Sequence, residues 1–282
     1  CSGLAEQDYA GDWELLLVDD LWNPNRCGAV REAGECWPLK HAQRALHLHP
    51  GCVVGPGVCT SARARNRALR AARGNLLIWL SDYSAIRSDW IRQHVTAHWQ
   101  IEQPRAVVCG AHFNTHLPEF APDVLARQDA EGLIDPFASP LREKLSLFAE
   151  PLSAEQAFSL DLTLGHDPAT LYDAERPDDY FAMTLKNDSM RRAPLLEIGG
   201  FDERFDRLAC CMYQDTELAL RLATAGAMFL RSKQPMTRNL VIRLALRHLR
   251  KPQSADVVDA MMSETAARCA RGELQPVEGG LL

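Results

Sequence analysis

An α/β fold, a mostly parallel sheet with helices on both faces, is what the sequence predicts, and three observations carry the prediction. Continuous apolar runs at Leu15–Val18, Leu76–Leu80 and Ala106–Cys109 read as strands buried on both sides. Segments of helical periodicity at 60–73 and 215–225 are interspersed with them, the alternation that builds such sheets. Carboxylates stand just past two of the runs, Asp19 and Asp20 after the first and Asp82 after the second. Ligands of open α/β sheets sit beyond the carboxyl ends of the strands.

The elements follow in order. Leu46–Val54 alternates loosely and reads as a second strand, although Pro50 weakens it; His47 and His49 share one of its faces and read as a structural or exposed pair. Gly55-Pro56-Gly57 marks a loop. Thr60 or Ser61 can cap the next helix, and Gly74 lies just past its end. Residues 112–180 carry seven prolines, at Pro118, Pro122, Pro136, Pro140, Pro151, Pro168 and Pro177, and read as an insertion of short helices beside a cleft. Gly226 stops the helix that starts at Asp215. A basic helix is predicted over 238–251, with Arg243, Arg247 and Arg250 on one face, and a last helix over 254–271, with a loose tail after it.

Bulk properties narrow the function. The 282-residue chain carries a net charge of −6, which argues against a nucleic-acid partner, and it holds no apolar run near the length of a membrane span. Nine cysteines without a C-x-x-C pair, Cys27, Cys36, Cys52 and Cys59 among them, read as reduced thiols of a cytoplasmic protein rather than as a zinc site or disulfides.

Three positions carry chemistry. Arg65 shares the inward stripe of Ala68, Leu69 and Ala72, so its charge needs a partner, either a strand-end carboxylate such as Asp20 or a ligand phosphate. Asp82, at a strand end, can bind a ribose hydroxyl, help hold a divalent metal or cap nearby backbone. Asp215 shares the stripe of Leu218, Ala219 and Leu222 and is either the cap of its helix or a general base.

Ala64-Arg65-Asn66 with Gly74, and Gly199-Gly200-Phe201-Asp202-Glu203 with Asp215 and Glu217, resemble the motifs of inverting family 2 glycosyltransferases of the GT-A fold, a Rossmann-like architecture. The resemblance spans roughly residues 1–230. It implies a sugar nucleotide as donor, with Asp20, Arg65 and Asp82 at the nucleotide, Gly200, Phe201, Asp202 and Glu203 on the acceptor side, and Asp215 as catalytic base. It also implies a domain over 1–235, nucleotide-binding in 1–110 and acceptor-binding in 111–235, with 236–282 as a helical extension. The family's divalent cation, manganese or magnesium, has Asp82 as a ligand here, but Tyr83 stands at the usual ligand position. The family's first strand is expected upstream of Cys1, so the chain is expected to be incomplete. Two further expectations are a glycan or lipid-linked acceptor and a peripheral contact of 238–251 with the inner face of the membrane. A catalytically silent relative that binds or scaffolds is the alternative.

Overall fold

The computed structural model describes residues 2–18, 42–48, 60–81, 84–101, 103–116, 183–207, 213–241 and 255–278. Asp20, Asp82, Tyr83, His49, residues 117–180 of the insertion and residues 242–251 of the basic segment lie outside them.

In chain order the elements are α1 (Ser2–Ala5), β1 (Trp13–Val18), β2 (Ala42–Leu48), α2 (Ser61–Ala71), β3 (Leu76–Leu80), β4 (Ser84–Ile86), α3 (Trp90–Gln100), β5 (Ala106–His116), β6 (Asn187–Arg191), α4 (Arg192–Glu197), α5 (Gln214–Thr224), β7 (Met228–Val241) and α6 (Ala255–Ala270). A 3₁₀ turn spans Glu203–Arg207. β1 and β2 pair in parallel, and a five-stranded sheet runs β3-β6-β5-β7-β4. The fold is α/β, but within the five-stranded sheet only β5 and β7 run parallel; β3–β6, β5–β6 and β4–β7 are antiparallel. The expectation of a mostly parallel sheet is therefore corrected to a mixed one.

The reason is β6. Asn187-Asp188-Ser189 carries none of the apolar signal of a buried strand, yet all three residues are buried. Pairing between β3 and β5 places Asp188 opposite Trp79 and Cys109, on the face that also holds Leu77, Val107, Met190 and Phe229. That face packs against α2 and α5 through Ala62, Leu69, Leu218, Ala219 and Leu222. Asn187 and Ser189 point the other way, beneath α3, where Trp90 and Ile91 meet Ile78 and Leu80. Helices on both faces are thus present as predicted.

The polar residues under α3 form a chain of forced protons. Trp90 Nε1 can only donate, and it donates to Asn187 Oδ1 at 2.8 Å. His94 Nε2, 3.1 Å from the same oxygen, must donate too, so His94 Nδ1 accepts from the Ser189 hydroxyl at 2.8 Å. Ser189 Oγ then accepts from His98 Nε2 at 3.0 Å, which leaves His98 Nδ1 a buried acceptor with no partner among the described residues. Burial pushes His94 down to about 3 and also lowers His98. A histidine depressed in the folded state is protonated first in the unfolded chain, so its contribution falls as pH drops below about 6.5. His94→Gln retains an amide donor and acceptor without the titration. The stability gap between wild type and this variant should shift by about 2 kcal/mol against wild type from pH 7 to pH 5. Urea unfolding at the two pH values measures it, and an unchanged gap would show that His94 keeps an ordinary pKa.

Two sequence boundaries move. β2 occupies Ala42–Leu48, upstream of the predicted strand, because it lies in register with β1, Leu15 against Ala45 and Val18 against Leu48. β7 runs Met228–Val241, so residues 238–241 are strand rather than helix, because they ladder with β5 and β4. Pro235 falls where the β5–β7 register jumps between Gly110 and Ala111, a place where its missing N–H breaks no ladder bond. The predicted last helix is present as α6. Residues beyond it are not loose: Val277 N–H donates to Asp202 Oδ2 at 3.0 Å, and Glu203 N–H donates to the Glu278 carbonyl at 3.1 Å.

Candidate active site

The candidate site lies where the carboxyl end of β3 meets the amino-terminal turns of α2 and α5. Neither helix is capped by its own first residue. The Thr60 side chain makes no capping bond; instead Asp206, far along the chain, accepts the N–H groups of Ala62 at 2.8 Å and Arg63 at 3.0 Å. Asp206 also accepts Gln214 Nε2 at 3.0 Å, so one carboxylate ties the starts of both helices together. A substituted cap of this kind is worth about 1–2 kcal/mol. At the other end of α2, Gly74 is not a left-handed stop: the N–H groups of Arg73 and Gly74 go to Glu14 Oε1 on β1.

Helix α5 starts at Gln214, one residue before the predicted start, on a left-handed Tyr213 with φ of 69°. Asp215 is consequently inside the first turn and is not the cap. Its Oδ1 accepts the Thr216 N–H at 2.9 Å, and its own backbone N–H bonds the carboxyl as well. Burial pushes Asp215 above the usual carboxylate range; the Thr216 N–H, Arg65 and Lys186 pull the other way without prevailing. A buried carboxylate with a raised pKa is chemically suited to take a proton.

Arg65 stands beside it. Its Nη1 donates to Gln214 Oε1 at 2.7 Å, and its guanidinium carbon lies 5.7 Å from the centre of the Phe201 ring. A glutamine of α5 and an aromatic face are thus among its partners. Phe201 in turn meets Trp79 edge-on, with ring centres 5.7 Å apart and planes at 83°. The Trp79 indole N–H is buried and has no hydrogen-bond partner among the described residues.

The two segments singled out in the sequence are joined by Asn66. Its amide donates to the Phe201 carbonyl at 2.9 Å and to Glu203 Oε1 at 3.1 Å, and its oxygen accepts the Phe201 N–H at 2.8 Å. This fully buried amide holds the 201–203 backbone against α2. Within that segment Gly200 and Phe201 are buried, Asp202 pairs with Arg204 at 2.9 Å, and Glu203 pairs with Arg63 at 3.1 Å. Gly199, with φ of +78°, lies where an added Cβ would fall 2.2 Å from Gln275 of the C-terminal segment. Glu217 does not face the site: it forms a buried ion pair with Arg221 at 2.7 Å.

Two residues that the sequence did not single out complete the surroundings. Asp188, almost wholly buried, is pushed up to about 6 by burial, with the charge of Asp215 adding to the rise. It accepts the N–H groups of Thr184 at 2.8 Å and Leu185 at 2.5 Å. Lys186 follows, its carbonyl accepting the Ser81 N–H at 3.3 Å at the carboxyl end of β3. A polar triplet on a strand has no periodicity signal, which is why neither was read from the sequence. Among the described residues no group of three His, Cys, Asp or Glu side chains could hold a metal ion.

The chain has a glycosyltransferase relative. It is 26% identical over 221 residues to the uncharacterized glycosyltransferase YfnE of Bacillus subtilis, a match covering 74% of this chain and 52% of that protein. The chain thus spans about half the length of this curated relative. No family model matches. Among solved structures it is similar to S. aureus TarS 1-349 in complex with UDP, at 11% identity and a TM-score of 0.48, covering 95% of this chain and 65% of that one. It is also similar to GalNAc-T7 with UDP, GalNAc and Mn2+, at 12% identity and a TM-score of 0.45, covering 81% and 38%.

Of the predicted site residues that are described, Arg65, Phe201 and Asp215 gather around the start of α5, while Glu203, in the 3₁₀ turn, pairs with Arg63 and Asn66 of α2, and Asp202 pairs with Arg204. No helix of the described residues is long and apolar enough to cross a membrane.

Proposed function

We propose that the chain is an inverting glycosyltransferase of family 2 and GT-A type, transferring a sugar from a nucleotide-sugar donor to an acceptor hydroxyl. The observation that carries this reading is the Asp215 carboxyl, held in the first turn of α5 with an elevated pKa beside Arg65. The similarity to a glycosyltransferase over 221 residues supports the reaction class. In one displacement, Asp215 takes the proton of the acceptor hydroxyl as its oxygen bonds the anomeric carbon. The bond to the phosphate oxygen breaks, and its electron pair leaves with the nucleoside diphosphate.

In this reading Asp20, Arg65 and Asp82 face the donor, and the 200–203 segment, Gly200 through Glu203, borders the acceptor. A bound manganese or magnesium ion would supply positive charge for the leaving diphosphate, with Asp82 as its candidate ligand. The acceptor is a glycan or a lipid-linked sugar, and residues 238–251 would touch the inner face of the membrane from the cytoplasm. The division into 1–110, 111–235 and 236–282 belongs to the same proposal.

A thermal-shift panel of UDP, GDP, ADP and CDP, with and without manganese, tests the reading. One nucleotide at about 100 times its dissociation constant should add roughly 2.7 kcal/mol of stability. A manganese-dependent shift would support the cation, and silence with all four would remove the reading. Binding without transfer from any donor would favour the silent alternative.

A further inference from the structure

We propose that Lys186 is the cation that binds the diphosphate of the donor and stabilises it as it leaves. The inference deepens the glycosyltransferase reading and rests on it.

The first observation is placement. The antiparallel register of β3 and β6 sets Leu80 opposite Asn187, so Lys186 falls beside Ser81, past the last residue of β3. The Ser81 N–H to Lys186 carbonyl bond fixes its backbone there. Carboxyl ends of strands in such folds are where anionic cofactors and substrates lie.

The second is the way the turn is held. Leu185 has φ of 55°, a left-handed conformation that a branched, buried side chain adopts only under constraint. The constraint is the buried Asp188 carboxylate, which takes the N–H groups of Thr184 and Leu185 and so forces the turn that carries Lys186. A turn held against its local preference is aimed, and Lys186 is the residue it presents.

The third is that the turn has donors to spare. The Thr184 hydroxyl is buried without a hydrogen-bond partner, and the half-buried Lys186 ammonium makes no hydrogen bond or ion pair among the described residues. Lys186 is nevertheless near enough to Asp215 to weigh on its charge, as Arg65 does. A direct bond to Asp215 would satisfy the lysine and spoil the base. An arriving diphosphate satisfies it without that cost.

The chemistry closes. As the acceptor oxygen bonds the anomeric carbon and its proton passes to Asp215, the electron pair of the breaking bond settles on a phosphate oxygen. That oxygen gains negative charge in the transition state, and a fixed ammonium there stabilises it. Arg65 faces the same donor with its Nη1 held by Gln214, and Lys186 adds a second cation beside Ser81 at the end of β3.

The experiment is calorimetric titration of wild type, Lys186→Met and Lys186→Arg with UDP, GDP, ADP and CDP, and with the nucleoside of whichever binds. Lys186→Met should weaken the diphosphate roughly tenfold to a hundredfold, the worth of a charged hydrogen bond, and leave the nucleoside unaffected. Lys186→Arg should recover most of the loss. Circular dichroism and melting temperature check that both variants fold, and the arginine variant keeps the comparison usable if the methionine variant does not. Diphosphate affinity equal to wild type in Lys186→Met overturns the inference alone. A loss that extends equally to the nucleoside overturns it as well, because the lysine is then structural. If wild type binds none of the four diphosphates, the glycosyltransferase reading fails and takes this inference with it.

Discussion

Asp215→Asn is expected to lower turnover by roughly a hundredfold to ten-thousandfold, the range for loss of a general base, while nucleoside diphosphate affinity is unchanged. The amide has the carboxylate's shape and can still accept the Thr216 N–H, so α5 keeps its first turn. What disappears is the ability to take a proton. The wild-type rate should also fall as pH drops through the Asp215 pKa. Burial raises that pKa above its ordinary 3.8, so the acid limb lies at higher pH than for an exposed aspartate. Steady-state kinetics over pH with the donor that the nucleotide panel identifies measures both effects. Turnover retained in Asp215→Asn would remove it as the base and would direct attention to Asp188, whose own carboxyl is held near 6.

Arg221→Met is expected to have the largest effect on stability, a loss of about 3–5 kcal/mol, measured by urea unfolding. Arg221 is 1% exposed and fully committed: Nε and Nη2 each donate to Glu217 at 2.7 Å, Nη2 also donates to the Gly200 carbonyl at 2.7 Å, and Nη1 donates to that of Ile198 at 2.9 Å. Its removal strands a buried carboxylate and the three carbonyls of Ile198, Gly200 and Leu274, the last 3.3 Å from Nη1. Glu217→Gln combined with Arg221→Met should recover part of the loss, because the stranded charge goes too. A loss below 1 kcal/mol in the single variant would show that water reaches Glu217 and that the pair is not sealed.

The legible part of the sequence was the part written in periodicity. The apolar runs of β1, β3 and β5 and the stripes of α2 and α5 announced strands and helices close to where they lie. Parallel or antiparallel direction was not legible, because it depends on β6, and Asn187-Asp188-Ser189 reads as loop until His94, His98 and the 184–185 turn are present to satisfy it. Asp215 could be found from its place on an inward stripe, but not distinguished from a cap; that needed Tyr213 in its left-handed conformation. Arg65 could be seen to need a partner, yet Gln214 lies on an element far along the chain and no local rule points to it. The same limit hid Asp206, which caps α2 from across the sequence.

Asn66 bridges 135 residues to Phe201, and the 199–203 segment is itself clasped by residues 274–278. Contacts of such long sequence separation form late, because the entropy of closing the loop comes before any reward. On the ribosome the consequence is one of timing. Helix α2 and β3 leave the exit tunnel long before the segment they must grip, and that segment waits again for the residues that cover it. Until residues 277 and 278 have emerged, Asp202 and Glu203 lack the backbone partners that hold them, and the 199–203 segment stays uncovered, the kind of partly formed surface that chaperones hold.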